Sequence, residues 1–113
     1  MRTKWIAAGV SSLVAGAALG QSIVGTGAPA GTTWFIPSGL SADGLVMVGN
    51  ASNGHGYRWT VAGGFEDMGL PSAGTTVLVE GVSADGTVVC GRFYQPGLNA
   101  RAFRWTTEGV YQN

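Results

Sequence analysis

Cysteine and histidine are almost missing: Cys90 and His55 stand alone in 113 residues. A single cysteine excludes an intrachain disulfide framework and a cysteine-based zinc site. A single histidine leaves little from which to build a metal centre or a catalytic triad. Charge is equally scarce, with 11% charged residues and six cations against six anions. That balance excludes nucleic-acid binding driven by bulk positive charge. The 45% hydrophobic content separates the chain from disordered polyelectrolytes. After Gly20 there is no lysine and no window with apolar residues at helical spacing. Glycine is the residue in excess, 20 of 113, against a usual share of about 7%. The length is that of one small domain.

The N-terminus reads as an export signal. Arg2 and Lys4 precede the uncharged run Trp5–Gly20, and Ala18-Leu19-Gly20 places small residues at the −3 and −1 positions of a cut before Gln21. The run has 16 residues, many of them Gly, Ala or Ser, short of the roughly 20 apolar residues that span a bilayer. Cleavage after Gly20 would leave 93 residues with four arginines against six acids, a net charge of −2. No second long apolar run follows, so no membrane anchor is expected and the product is expected to be secreted.

Beyond a lead-in over Gln21–Ala28, the chain repeats itself. Gly39-Leu40-Ser41-Ala42-Asp43-Gly44 matches Gly81-Val82-Ser83-Ala84-Asp85-Gly86 at a spacing of 42. Pro29 and Pro71, Thr33 and Thr75, Val46 and Val88, Val48 and Cys90, and Gly49 and Gly91 share that spacing. Tyr57-Arg58-Trp59-Thr60 then matches Phe103-Arg104-Trp105-Thr106 at 46, which places four extra residues within Arg92–Ala102, beside the turn signal Pro96-Gly97. The units are Pro29–Leu70 and Pro71–Asn113, and the second is read as incomplete at its C-terminal end.

Each unit reads as short strands. Thr75–Val79 and Thr87–Cys90 are β-branched and aliphatic runs. Asp85-Gly86 between them is a hairpin signal, because both residues tolerate positive φ. Ala102–Thr106 alternates aromatic with polar residues, as a half-buried strand does. Phe65–Met68 or Val110–Gln112 makes a short fourth strand. The expected fold is all-β: tandem antiparallel β-repeats of about 42 residues resembling β-propeller blades, in an incomplete propeller. A small β-sandwich or a β-solenoid is the alternative. Two units alone leave open edges, so the chain is expected to be loosely folded by itself or to close by pairing units between chains.

The order Val-Ser-Ala-Asp-Gly-X-Val-Val-X-Gly, then Ala-Phe-Arg-Trp-Thr, resembles the bacterial HAF-type extracellular repeat. Val82–Gly91 and Ala102–Thr106 carry the match. The resemblance implies an exported multi-repeat protein with propeller-like units. Repeat one departs from it at His55-Gly56-Tyr57, and repeat two at Arg101-Ala102-Phe103. Ser83-Ala84-Asp85-Gly86-Thr87 is also similar to the Asp-box of sialidase propellers, but is one residue short and lacks its tryptophan.

Few residues invite chemistry. Asp43 and Asp85 read as turn residues, with Ser and Asp side chains capping the turn and Gly supplying positive φ. One carboxylate per turn falls far short of the six to eight oxygens that calcium takes. His55 reads as a solvated loop residue. Cys90 reads as a buried, inert thiol, although Arg92 two residues away leaves open an activated one. Tyr57, Trp59, Phe103 and Trp105 fall on one strand face and read as core. Arg58 and Arg104 point to the opposite face, toward Glu66, Asp67 or a turn aspartate. Glu66 and Asp67 are adjacent, so as strand neighbours they face apart and cannot act jointly as acid and base.

No catalytic residue, metal site or cofactor is expected. The leading function is a secreted binding or structural scaffold, with an extracellular protein or glycan as partner, no nucleic acid, and a capacity to self-associate. The longer loop, with Arg92, Phe93, Tyr94 and Arg101, is its candidate contact surface. The alternative is a fragment of a glycan-acting propeller enzyme whose catalytic groups lie outside this chain.

Overall fold

In a computed structural model, residues 25–72 and 74–112 are described. The expected signal at Met1–Gly20 lies outside them. No described residue is helical. Eight strands form in chain order: β1 (Phe35–Leu40), β2 (Val46–Ala51), β3 (Gly56–Thr60), β4 (Gly64–Asp67), β5 (Thr76–Val82), β6 (Val88–Tyr94), β7 (Arg101–Thr106) and β8 (Tyr111–Gln112). They make two four-stranded antiparallel meanders, β1-β2-β3-β4 and β5-β6-β7-β8. Each sheet lies within one of the two repeat units.

The repeat extends to irregularities. Between β1 and β2 the register slips between Pro37 and Gly39, and between β5 and β6 it slips between Val79 and Gly81. A bulge of this kind adds one residue to one strand and increases its twist. Opposite each bulge stands a glycine. A Cβ on Gly49 would lie 2.2 Å from Ile36 O, and one on Gly91 would lie 2.1 Å from Leu78 O. Both positions need hydrogen at Cα because a neighbouring main chain occupies the space. This accounts for part of the glycine excess.

Some strands run longer than the sequence suggested. β5 continues through Gly81 and β6 continues to Tyr94, because Thr76, Val77 and Leu78 pair with Tyr94, Phe93 and Arg92. The longer loop therefore shrinks to Gln95–Ala100. It still exceeds its counterpart, Ser52–His55, between β2 and β3.

The core forms where the second sheet lies against the first. Val48 and Met68 of unit one join Val77, Val79, Val89, Phe93, Phe103 and Trp105 of unit two, with Val82 and Tyr111 at the edge. Cross-strand pairing places Val77 beside Phe93 and Val89 beside Trp105, so these side chains share one face of the second sheet. That face meets the opposite kind of face on the first sheet, the one bearing Val46, Val48, Asn50, Gly56 and Arg58. Equivalent faces thus point the same way, and the units stack front to back.

Main-chain closeness makes the joint polar as well as apolar. Ala42 N donates to Ala84 O at 3.0 Å, linking the two β-turns, and Val77 N donates to Gly54 O at 2.9 Å. Ser38 Oγ donates to Val79 O at 2.7 Å. The Asn50 amide bridges β5, with Nδ2 donating to Val77 O and Oδ1 accepting from Val79 N at 2.9 Å. Asn50 thereby supplies ladder hydrogen bonds that no strand supplies there.

Candidate functional site

The two turns with the most tempting carboxylates are closed structural units. Ser41 Oγ donates to Asp43 Oδ1 at 2.7 Å and accepts from Val46 N at 3.1 Å, while Leu45 N donates to Asp43 Oδ1 at 3.0 Å. In unit two, Ser83 Oγ and Thr87 Oγ1 donate to Asp85 Oδ1 at 2.7 and 2.8 Å, and Thr87 N donates at 3.1 Å. Gly44 and Gly86 take φ of 76° and 78°. The Ser-Asp-Gly pattern is therefore a turn cap, as its chemistry suggested.

These bonds favour the ionised carboxylate. The Ser83 hydroxyl, followed by the Thr87 hydroxyl and amide, holds the Asp85 pKa down at about 2. The Leu45 amide and then the Ser41 hydroxyl lower that of Asp43. A depressed folded pKa contributes stability that is complete above the ordinary value and is lost as pH falls through the lowered one. The thermal midpoint should therefore drop as pH falls from 3.8 toward about 2. Asp85→Asn should flatten that fall. An equal fall in both proteins would remove Asp85 as its cause.

His55 is not simply solvated. Its Nδ1 lies 2.9 and 3.1 Å from the two Asp67 oxygens. A carboxylate only accepts, so the imidazole carries its proton on Nδ1. Asp67 also accepts from Tyr57 OH at 3.3 Å and from Gly69 N at 2.7 Å, and Asn53 Nδ2 donates to Tyr57 OH at 2.9 Å. The cluster fastens the β2–β3 loop to the end of β4. Tyr111, whose hydroxyl donates to Gly69 O at 3.0 Å, has its pKa raised by burial and then by the Asp67 charge. No group of three or more His, Cys, Asp and Glu residues gathers among the described residues.

The remaining acids are also partnered. Glu66 faces Arg58 at 3.4 Å and Glu80 faces Arg92 at 3.2 Å. Glu108 accepts from Thr106 Oγ1 at 3.0 Å. Glu66 and Asp67 face apart, as strand alternation requires.

Two sequence expectations need correction. Phe93, grouped with the contact loop, is 2% exposed and belongs to the core, because it follows Val89 and Gly91 at period two on the inward face. Cys90, read as buried, is exposed. Its counterpart Val48 is covered by the second sheet, whereas no described residue covers the equivalent face of the second sheet. The other loop candidates stay outside. Tyr94 is exposed, Arg101 is exposed at the start of β7, and Arg92 is held by Glu80.

The outer face of the second sheet is one exposed surface. Cys90, Arg92, Ala102, Arg104 and Gln112 are exposed there. Arg104 Nη1 donates to Gln112 Oε1 at 2.7 Å. The Gln95–Ala100 loop, with Leu98 59% exposed, stands at its rim. At the other end, Phe35, Met47, Trp59 and Phe65 share the outer face of the first sheet and are only half-buried. Phe35 and Phe65 meet edge to face at 5.0 Å. Trp59 is read as core, yet only Trp105 has a sheet laid over it. Compared with protein-family models, with curated proteins and with solved structures, the chain matches none.

Proposed function

We propose that this chain is an exported repeat protein of the HAF type, acting as a binding or structural scaffold and not as an enzyme. The observation that supports it best is the commitment of the carboxylates. Asp43 and Asp85 cap turns, Asp67 fastens a loop, and Glu66 and Glu80 pair with arginines. A pair of carboxyl groups working as acid and base needs to converge on one substrate bond, and these five acids are held in separate structural contacts. The repeat supplies a frame, and the Gln95–Ala100 loop with Tyr94 and Arg101 supplies variable contact chemistry on its rim. A propeller-like assembly of such units, with an extracellular protein or glycan as partner, fits this frame.

The test is expression of the chain in a secreting bacterial host. The exported product should begin at Gln21 by N-terminal sequencing, and should turn over neither glycosides nor esters. Retention of Met1 in the membrane fraction would overturn the export reading. Turnover that disappears with Asp43→Ala, Asp85→Ala or His55→Ala would overturn the scaffold reading in favour of the glycan-acting alternative.

A further inference from the structure

The joint between the two sheets is a heterologous interface made of repeated parts, and both halves of it occur a second time, over which no described residue lays a further sheet. We propose that a second copy of this chain docks head to tail, laying the outer face of its first sheet on the outer face of the second sheet. The inference rests on the internal joint and not on export or on the HAF resemblance.

Repeat equivalence sets the contacts. Within the chain, Arg58 Nε donates to Gly86 O at 2.7 Å and so caps the turn of the following unit. The equivalent Arg104 is exposed, and its Nε has no acceptor among the described residues. In a head-to-tail pair it reaches the equivalent carbonyl, Gly44 O of the next copy. Val46 packs so closely under Gly86 that a Cβ there would lie 2.4 Å from it. Val88 takes the same place under Gly44, whose Cα faces open space. Cys90 replaces Val48 at the centre of the face.

One polar difference between the two faces is matched as well. Asn50 needs both an acceptor and a donor on the facing strand, and finds Val77 O and Val79 N. The strand at the open end offers Phe35 O, but its next position is Pro37, which has no N–H to give. At the place of Asn50 the reaching side chain is Arg92, which donates and does not accept. A donor-only side chain thus faces a strand that offers only an acceptor. Pro37 also leaves β1 a poor edge for strand addition, which favours stacking over edge pairing. A ring of four to eight units would take two to four chains.

The experiment is sedimentation of the purified chain in reducing buffer across a concentration series, with two blocking variants at exposed positions. Leu40 is 61% exposed at the place equivalent to Val82, so Leu40→Lys blocks only the first-sheet face. Ala102 is exposed on the outer face of the second sheet, at the place equivalent to Gly56, so the bulk of Ala102→Trp blocks only the second-sheet face. Wild type should associate into closed rings of two to four chains or into a longer series. Each variant alone should stay monomeric, and the two mixed should form a 1:1 complex and stop. That complex also proves both variants folded. Arg104→Ala should weaken association roughly tenfold, as expected for losing one charge-assisted hydrogen bond. Reaction of Cys90 with a thiol reagent should slow as wild type assembles. A wild type that is monomeric throughout, or blocked variants that still self-associate, would each overturn the proposal.

Discussion

Trp105→Ala should abolish most of the folding stability, whereas Trp59→Ala should leave a clear unfolding transition. The two residues are repeat equivalents on equivalent faces, and local sequence does not separate them. Trp105 is 1% exposed and belongs to the inter-sheet core. Truncating such a side chain costs about 3–5 kcal/mol. Folding stability runs at roughly 0.05–0.15 kcal/mol per residue, so a unit of this size has little beyond that to lose. Trp59 is only half-buried, and its removal leaves the joint between the sheets intact. Urea unfolding followed by far-UV circular dichroism separates the two cases. Equal losses would mean that the sheets do not stack as described. Trp105→Phe should be milder than its lost volume suggests. The indole Nε1–H is buried with no acceptor among the described residues, and an unmade hydrogen bond of this kind costs about 1–3 kcal/mol.

Gly86→Ala should be far more damaging than Gly44→Ala, although both replace the glycine of the same turn. Both positions have positive φ, 78° and 76°, so each alanine carries a strain of about 1–2 kcal/mol. Beyond that the two diverge. A Cβ on Gly86 would sit 2.4 Å from Val46 Cγ2 and 2.8 Å from Val46 Cβ, while one on Gly44 meets nothing within 4 Å. Val46 is 7% exposed and cannot swing away. Overpacking of this kind adds about 1–3 kcal/mol. Val46→Ala should recover part of the loss in the Gly86→Ala background and none in the Gly44→Ala background. A double-mutant cycle measures that coupling. The same cost at both glycines would contradict the front-to-back contact.

The strands, the turns and the all-β repeat were legible in the residues, because those features depend on local patterns. Asp-Gly, the β-branched runs and the alternating Phe103-Arg104-Trp105 each belong to one strand or one turn. Which face of a unit turns inward was not legible. In a stack of like units both faces of a sheet carry apolar side chains, and burial depends on whether a neighbour lies on that side. Val48 and Cys90 occupy one repeat position, yet one is 0% exposed and the other is in solvent. Phe93 had a readable signal: it continues the Val89, Gly91 alternation, and its repeat equivalent Ala51 is also apolar. The pull of the Pro96-Gly97 turn masked that signal. The pairing of His55 with Asp67 depends on the register of the β3–β4 hairpin, which sequence spacing alone does not reveal. The partner chosen by Arg58, a backbone carbonyl of the other unit, carries no side-chain signature at all.

The repeated bulges have a consequence for how the chain sorts its own strands. Because β1 and β5 share the same slip and face the same glycine, β1 would fit β6, and β5 would fit β2, with nearly the same hydrogen bonds. The main-chain ladder therefore discriminates weakly between right and exchanged partners. Connection length does the discriminating. The turn from β1 to β2 spans only Ser41–Leu45, and a hairpin closes in about 1–10 μs. Contacts across more of the chain form more slowly, since the longer loop must be closed first. Each short turn lets a strand find its neighbour before it meets its double, so kinetic precedence keeps two nearly interchangeable halves from trading strands.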